Sequence, residues 1–314
     1  RGAMLAKADL VTGMVFEFTE LQGAMGRKYA TLGGEAPAVA EAIFEHYLPR
    51  FTGDILAQSS VGIAVSLADK IDTIVAVFSQ KNAKLPSGSK DPLGLRRMAS
   101  GIIQTVLENK LNIDLLALMG SAYRSLVESA PATAQFQDEA TTLELVNTFV
   151  IQRLRGILLE QDNRYDIIDA VLETEKAPLS DLQDALVRIG QLKTLSLDAD
   201  ALKKVYEPAN RIYKILGKNY IATATAADVK ADRFRDPSEN ALAEKVATLE
   251  TQNPGQDYAA LITQLSGLNE AIELFFEKVM VNDPDAAVRE NRYNLLSVLN
   301  RFYLQLACFP KLVV

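Results

Sequence analysis

The chain has one cysteine, Cys308, and one histidine, His46, in 314 residues. A single thiol closes no internal disulfide, and no zinc site of the Cys/His kind can be assembled. A Ser-His-Asp or Cys-His nucleophile would have to use His46, which the pattern places at the end of an amphipathic helix, just before Leu48-Pro49, where packing is the ordinary role. Glycine and proline are also scarce, 17 and 11 residues, which favours long regular elements over turns. No apolar run reaches the roughly 20 residues that a membrane span needs, so no membrane partner is expected. Lone thiols suit a reducing compartment, and a cytoplasmic setting follows, with a plastid as the other possibility. Positive charge is in the minority. Thirty-three Lys and Arg against 40 Asp and Glu give −7, which excludes a generally basic nucleic-acid coat but not a local basic stripe.

What is present reads as helix. Hydrophobic residues make up 48% and charged residues 23%, enough for a full core. Pro37 opens a helix with Ala40, Ile43, Phe44 and Tyr47 on one face. Leu67, Ile71, Ile74 and Phe78 mark a second over about 61–78, and Asp91-Pro92 starts a third. Thr141 with Glu144, Ser180 with Gln183, and Asp236-Pro237 with Glu239 have capping-box spacing. Leu268, Ile272, Phe275, Phe276 and Val279 form one stripe; Leu295, Leu299, Phe302 and Leu306 form another. Alternating β-branched runs are scarce, so the fold class is all-α. The small-residue stretch Ser129–Ala134 marks a boundary between domains at 1–130 and 131–314. Charge agrees: the first part holds 13 basic and 13 acidic residues, the second 20 and 27. The opening Arg1-Gly2-Ala3 has no initiator Met and no signal-peptide pattern, so the chain reads as a piece of a longer protein.

Catalytic constellations fail one by one, and no catalytic or metal residue is assigned. Ser87-Gly88-Ser89-Lys90 ends like a phosphate-binding loop, but that loop needs Gly at position 83, where Ala83 stands, and Lys before the hydroxyl residue. The two-histidine motif of first-class aminoacyl-tRNA synthetases cannot be made from one His. Asp69, in Leu67-Ala68-Asp69-Lys70-Ile71, resembles the last metal-ligand position of HD-type phosphohydrolases. The upstream pair reads Ala8-Asp9, with alanine where imidazole must be. Asp9 and Asp69 are therefore vestigial positions on an inert HD-like scaffold; a metal-dependent hydrolase is the alternative, and a helical protein-binding adaptor a further one.

Longer segments carry a family resemblance. Leu5-Ala6-Lys7-Ala8-Asp9-Leu10-Val11-Thr12-Gly13-Met14-Val15, then Glu20-Leu21-Gln22-Gly23 and Met25-Gly26, resemble the beta subunit of bacterial-type glycyl-tRNA synthetase. So do Glu45-His46-Tyr47, Leu67 to Thr73, and Pro86 to Pro92 running into Leu95-Arg96-Arg97. Phe275 to Val281 and Arg289-Glu290-Asn291-Arg292 look like its closing helices, whereas residues of about 155–265 match loosely. The resemblance implies the C-terminal part of that subunit: an HD-like domain, then a helical-bundle anticodon-binding domain similar to that of arginyl-tRNA synthetase. It implies tRNA(Gly) and an alpha subunit as partners in an alpha2beta2 assembly. ATP and Mg would be used by the alpha subunit, with no cofactor in this chain.

An RNA-binding reading needs exposed cations, because phosphate neutralisation supplies much of the affinity. Lys203, Lys204, Arg211, Lys214 and Lys218 face the single acid Glu207, and four of them, Lys204, Arg211, Lys214 and Lys218, fall within about 80° on a helix. Arg211 is the strongest candidate, since guanidinium both stacks on bases and forks onto phosphate. Tyr206 and Tyr213 flank the apolar side and read as packing. Arg289 and Arg292, three apart, form a candidate phosphate grip, with Arg301 nearby. Lys84, Lys90, Arg96 and Arg97 surround the Pro86–Pro92 loop, a candidate for phosphate contact at a helix N-terminus or for docking.

Overall fold

A computed structural model describes residues 1–51, 53–86, 91, 93–174 and 177–314. Among them the regular structure is helical, with one isolated antiparallel bridge, Gln80 to Phe136, and no strand. No helix among the described residues is long and apolar enough to cross a membrane. The chain divides into two units, residues 1–157 with 179–183, and residues 158–178 with 184–314. The division falls inside one helix, and the Ser129–Ala134 stretch lies within the first unit.

The first unit is built on α1 (Gly2–Leu5), α2 (Gly13–Glu17), α3 (Ala24–Leu32), α4 (Pro37–Glu45), α5 (Ser60–Phe78), α6 (Leu95–Glu108), α7 (Leu115–Ser129) and most of α8 (Glu139–Glu160). Helix α5 is its centre, touching α4, α6 and α7. Its buried Leu67, Ile71, Ile74 and Phe78 are the stripe that the periodicity marks. Each such side chain contributes roughly 1.5–3 kcal/mol by leaving water. Ser59 caps the helix by accepting from the Gly62 amide at 3.0 Å. The cap of α8 is Asp138 rather than Thr141: its carboxylate accepts from the Thr141 amide at 2.8 Å, so Thr141 stands inside the helix.

The second unit contains α9 (Tyr165–Leu172), α10 (Leu182–Leu195), α11 (Ala199–Leu216), α12 (Pro237–Thr251), α13 (Tyr258–Ser266), α14 (Asn269–Lys278) and α15 (Ala286–Leu306). The first two residues of α10 belong to the first unit, where Gln183 reaches the Val106 and Leu107 carbonyls at 3.2 and 3.4 Å instead of closing a box with Ser180. Helix α15 is buried along most of its length and packs on α11, α12 and α13. Asp236 and Glu239 close both halves of the expected capping box on α12. A fully buried ion pair ties α10 to its neighbours: Arg188 donates to Asp184 at 2.9 Å and to Thr174 at 3.0 Å. Tyr258 donates to the other Asp184 oxygen at 2.5 Å.

Candidate nucleic-acid interface

Helix α11 carries the cation stripe because its other face is apolar. Leu202, Val205, Ala209, Ile212 and Leu216 are buried, and Asp198 caps the first turn through the Asp200 and Ala201 amides. Pro208 is buried in mid-helix, where it has no N–H for the Lys204 carbonyl. Lys203, Lys204, Arg211 and Lys214 are exposed. Lys203 lies 3.6 Å from Glu207, an exposed pair one turn apart. Lys204 and Lys214 have no ion-pair partner among the described residues. Lys218 is exposed but not on the helix. Gly217, at φ +44°, ends α11, and Lys218 sits in the short 3-10 turn that follows.

Arg211 is held by a residue that the sequence reading assigned to the core. Its guanidinium carbon stands 4.1 Å from the centroid of the Phe276 ring. Phe276 is half-buried on α14, edge-on to buried Phe275. Neighbouring helix positions lie 100° apart, so Phe276 falls at the edge of the stripe that Leu268, Ile272, Phe275 and Val279 define; that was the available signal. A guanidinium fixed over a ring keeps its donors and its opposite face for a base or a phosphate. Lys204 lies about 10 Å along the axis on one side and Lys214 about 4.5 Å on the other.

The paired grip expected of Arg289 and Arg292 is not what the structure provides. Arg292 is buried, with Nε and Nη2 forked onto Glu239 at 2.7 and 3.2 Å. Its Nη1 donates to the Met280 carbonyl at 2.9 Å and to Asp283 at 2.8 Å. A guanidinium so enclosed holds α15 against α12 and offers nothing to a ligand. Arg289 is half-buried and donates to the Asp283 carbonyl at 2.7 Å. Arg301 joins the Ala224 carbonyl to Glu250.

In the first unit, Lys84 and Arg97 are exposed and Arg96 donates to the Pro86 carbonyl at 3.1 Å. Lys90 lies outside the described residues, as do Ser87, Gly88, Ser89 and Pro92 of the same loop. The N-terminus of α6 is already filled: Asp91 takes the Leu95 and Arg96 amides at 2.8 and 2.9 Å. An anion expected there would meet a carboxylate.

Asp9 and Asp69 both act on Tyr47. Burial, and after it these two charges, push its phenol pKa up. Asp9 is buried and accepts from the Gly23 amide at 2.6 Å; Asp69 is bridged by Lys7 at 2.9 Å. His46 stacks beside Tyr47 at 3.8 Å between centroids, its Nδ1 2.7 Å from the Ile43 carbonyl, and burial pushes its pKa down. Among the described residues no three His, Cys, Asp or Glu side chains converge on one point. The residues present do not fit a hydrolytic metal centre, and the metal-dependent hydrolase reading is not favoured.

Comparison with known proteins supplies the rest. The family model described as glycyl-tRNA synthetase beta subunit matches residues 1–173, just over half of the chain. This chain belongs to that family. The glycine–tRNA ligase beta subunit of Picosynechococcus sp. is 41% identical over 99% of the chain and 44% of its own length. Those of Desulforamulus reducens and Clostridioides difficile are 38% and 34% identical over the whole chain, again 44% of each relative. The chain thus spans less than half the length of these relatives, and the alignments run through the loosely matching middle.

Proposed function

We propose that this chain is a tRNA-binding, non-catalytic part of a glycyl-tRNA synthetase beta subunit. It holds tRNA(Gly) while the alpha subunit, using ATP and Mg, activates and transfers glycine, in an alpha2beta2 assembly. The first unit is then an HD-like scaffold and the second a helical anticodon-binding bundle of the arginyl-tRNA synthetase kind. Family membership supports the ligase setting. The observation that carries the RNA reading is the exposed α11 face, with Arg211 stacked on Phe276 and flanked by Lys204 and Lys214, which have no ion-pair partner among the described residues. It stands out because residues 131–314 hold 20 basic against 27 acidic residues. An unstacked base on the Arg211 plane and phosphates on the two lysines are the contacts such a face makes.

The test is tRNA(Gly) binding by Arg211→Ala. Losing one stacked base costs roughly 1–3 kcal/mol, about 5- to 150-fold in affinity. Binding as tight as that of the parent contradicts the assignment of this face. A second reading, a protein-only adaptor, gains if no tRNA is retained even at low salt.

A further inference from the structure

Asn300, on α15, is a buried amide that the RNA reading leaves unused. It is 2% exposed, yet its side chain makes no hydrogen bond to a described residue. Asn291, on the same helix and 1% exposed, shows the ordinary arrangement: it closes two bonds with the Lys230 backbone at 2.7 and 3.0 Å. Nor is the Asn300 amide sealed in. The Tyr303 hydroxyl, three residues on, is shut off from water without a partner, whereas Oδ1 and Nδ2 of Asn300 stay reachable. The space they reach is a cavity of about 250 Å³ in the second unit, which Asn300 lines.

The other walls are apolar and aromatic. Leu216 and Leu304 line the cavity together with Tyr213, Tyr220 and Cys308. Gly217 leaves one side open, since a Cβ there would meet nothing within 4 Å. Tyr213 stands about 200° round α11 from Arg211, so the cavity is on the other side of the helix from the cation stripe. One charged residue, Glu173, lines it, and its carboxylate is paired with Lys311 at 2.6 Å. The contents are therefore neutral. A buried amide without partners is costly and calls for a ligand that both donates and accepts. Pockets for drug-sized molecules run to about 300–1,000 Å³, so this one holds a single ring system. An asparagine fork matches the adjacent N6 donor and N7 acceptor of adenine, and aromatic side chains supply stacking faces for the ring. We propose that this cavity binds an adenine ring, with Asn300 Oδ1 accepting from N6 and Nδ2 donating to N7. The ring belongs to a free nucleoside or to an unstacked residue of an RNA strand. The site is independent of the α11 face and stands whether or not that face binds RNA.

The experiment titrates the chain with adenosine and, separately, with purine riboside, which differs only in lacking the 6-amino donor. It follows the side-chain amide resonances of Asn300 and the backbone amide of Gly217. Expected are saturable shifts with adenosine and at least ten-fold weaker binding of purine riboside. Asn300→Leu, apolar and of similar size, brings adenosine down to the level of purine riboside at the Gly217 signal. A strand of five adenylates separates the two sources: binding tighter than that of adenosine assigns the site to an RNA residue, and equal or weaker binding assigns it to a free nucleoside. Equal binding of adenosine and purine riboside, or no saturable shift with either adenosine or the strand, overturns the proposal. So does parent-like adenosine binding by Asn300→Leu. If Asn300→Leu does not fold, the adenosine and purine riboside titrations of the parent chain decide the matter.

Discussion

Helices α11 and α15 of the second unit both carry arginines, and they use them in opposite ways. On α15, Arg292 is enclosed, forked onto Glu239 and tied to Met280 and Asp283. On α11, Arg211 is exposed, with Phe276 as its support. The same guanidinium is therefore a structural clamp where carboxylates are buried around it and a solvent-facing group where an aromatic ring supports it. Charge alone does not separate the two; the neighbourhood does.

That contrast can be broken most forcefully at Arg292. Arg292→Ala leaves Glu239 buried and uncompensated, and a loss of about 3–5 kcal/mol is expected in chemical denaturation. A loss below 1 kcal/mol would mean that the clamp is not structural. Arg211→Ala, by contrast, removes one exposed cation–π contact, so about 0.5–1 kcal/mol of stability is expected to go. Its tRNA affinity should fall much further than that. Equal effects of the two variants on stability would erase the distinction.

Proton titration sharpens the same comparison. Burial pushes the Glu239 carboxyl up, but hydrogen bonds from Arg292 and from the Arg235 and Asp236 amides outweigh it, so the net shift is downward. A carboxyl held below its usual value contributes stability that is full above about pH 4.5 and is lost as pH falls through the folded-state value. The parent is expected to lose stability on that acid limb, and Arg292→Ala to show a shallower one. Identical limbs would remove Glu239 as the acid-sensitive partner. The smallest effect is expected at Lys203, where the exposed pair with Glu207 contributes about 0.3–0.5 kcal/mol. Lys203→Ala should change stability hardly at all.

The all-helical class was legible because periodicity reports burial directly: Leu67, Ile71, Ile74 and Phe78 are all buried as spaced. The Asp236 capping box was legible too, since its geometry is local. Long-range partners were not. Nothing in the spacing of Arg289 and Arg292 says that Glu239, 53 residues before Arg292, encloses one of them. Asp138 took the cap assigned to Thr141 because its carboxylate accepts from the Thr141 amide and so starts the helix three residues earlier. The end of α11 was misjudged by two residues because Gly217 turns the chain before Lys218. The α11 cations themselves were readable, whereas Phe276 beneath Arg211 was hidden in an apolar stripe.

The most direct test of the proposal that the α11 face holds RNA is the salt dependence of tRNA(Gly) affinity in Lys204→Ala/Lys214→Ala, with Lys203→Ala beside it. Two lost phosphate contacts should reduce the slope of log K against log salt by roughly 1.4–1.8 in the double variant. A slope unchanged from the parent in the double variant would contradict the account.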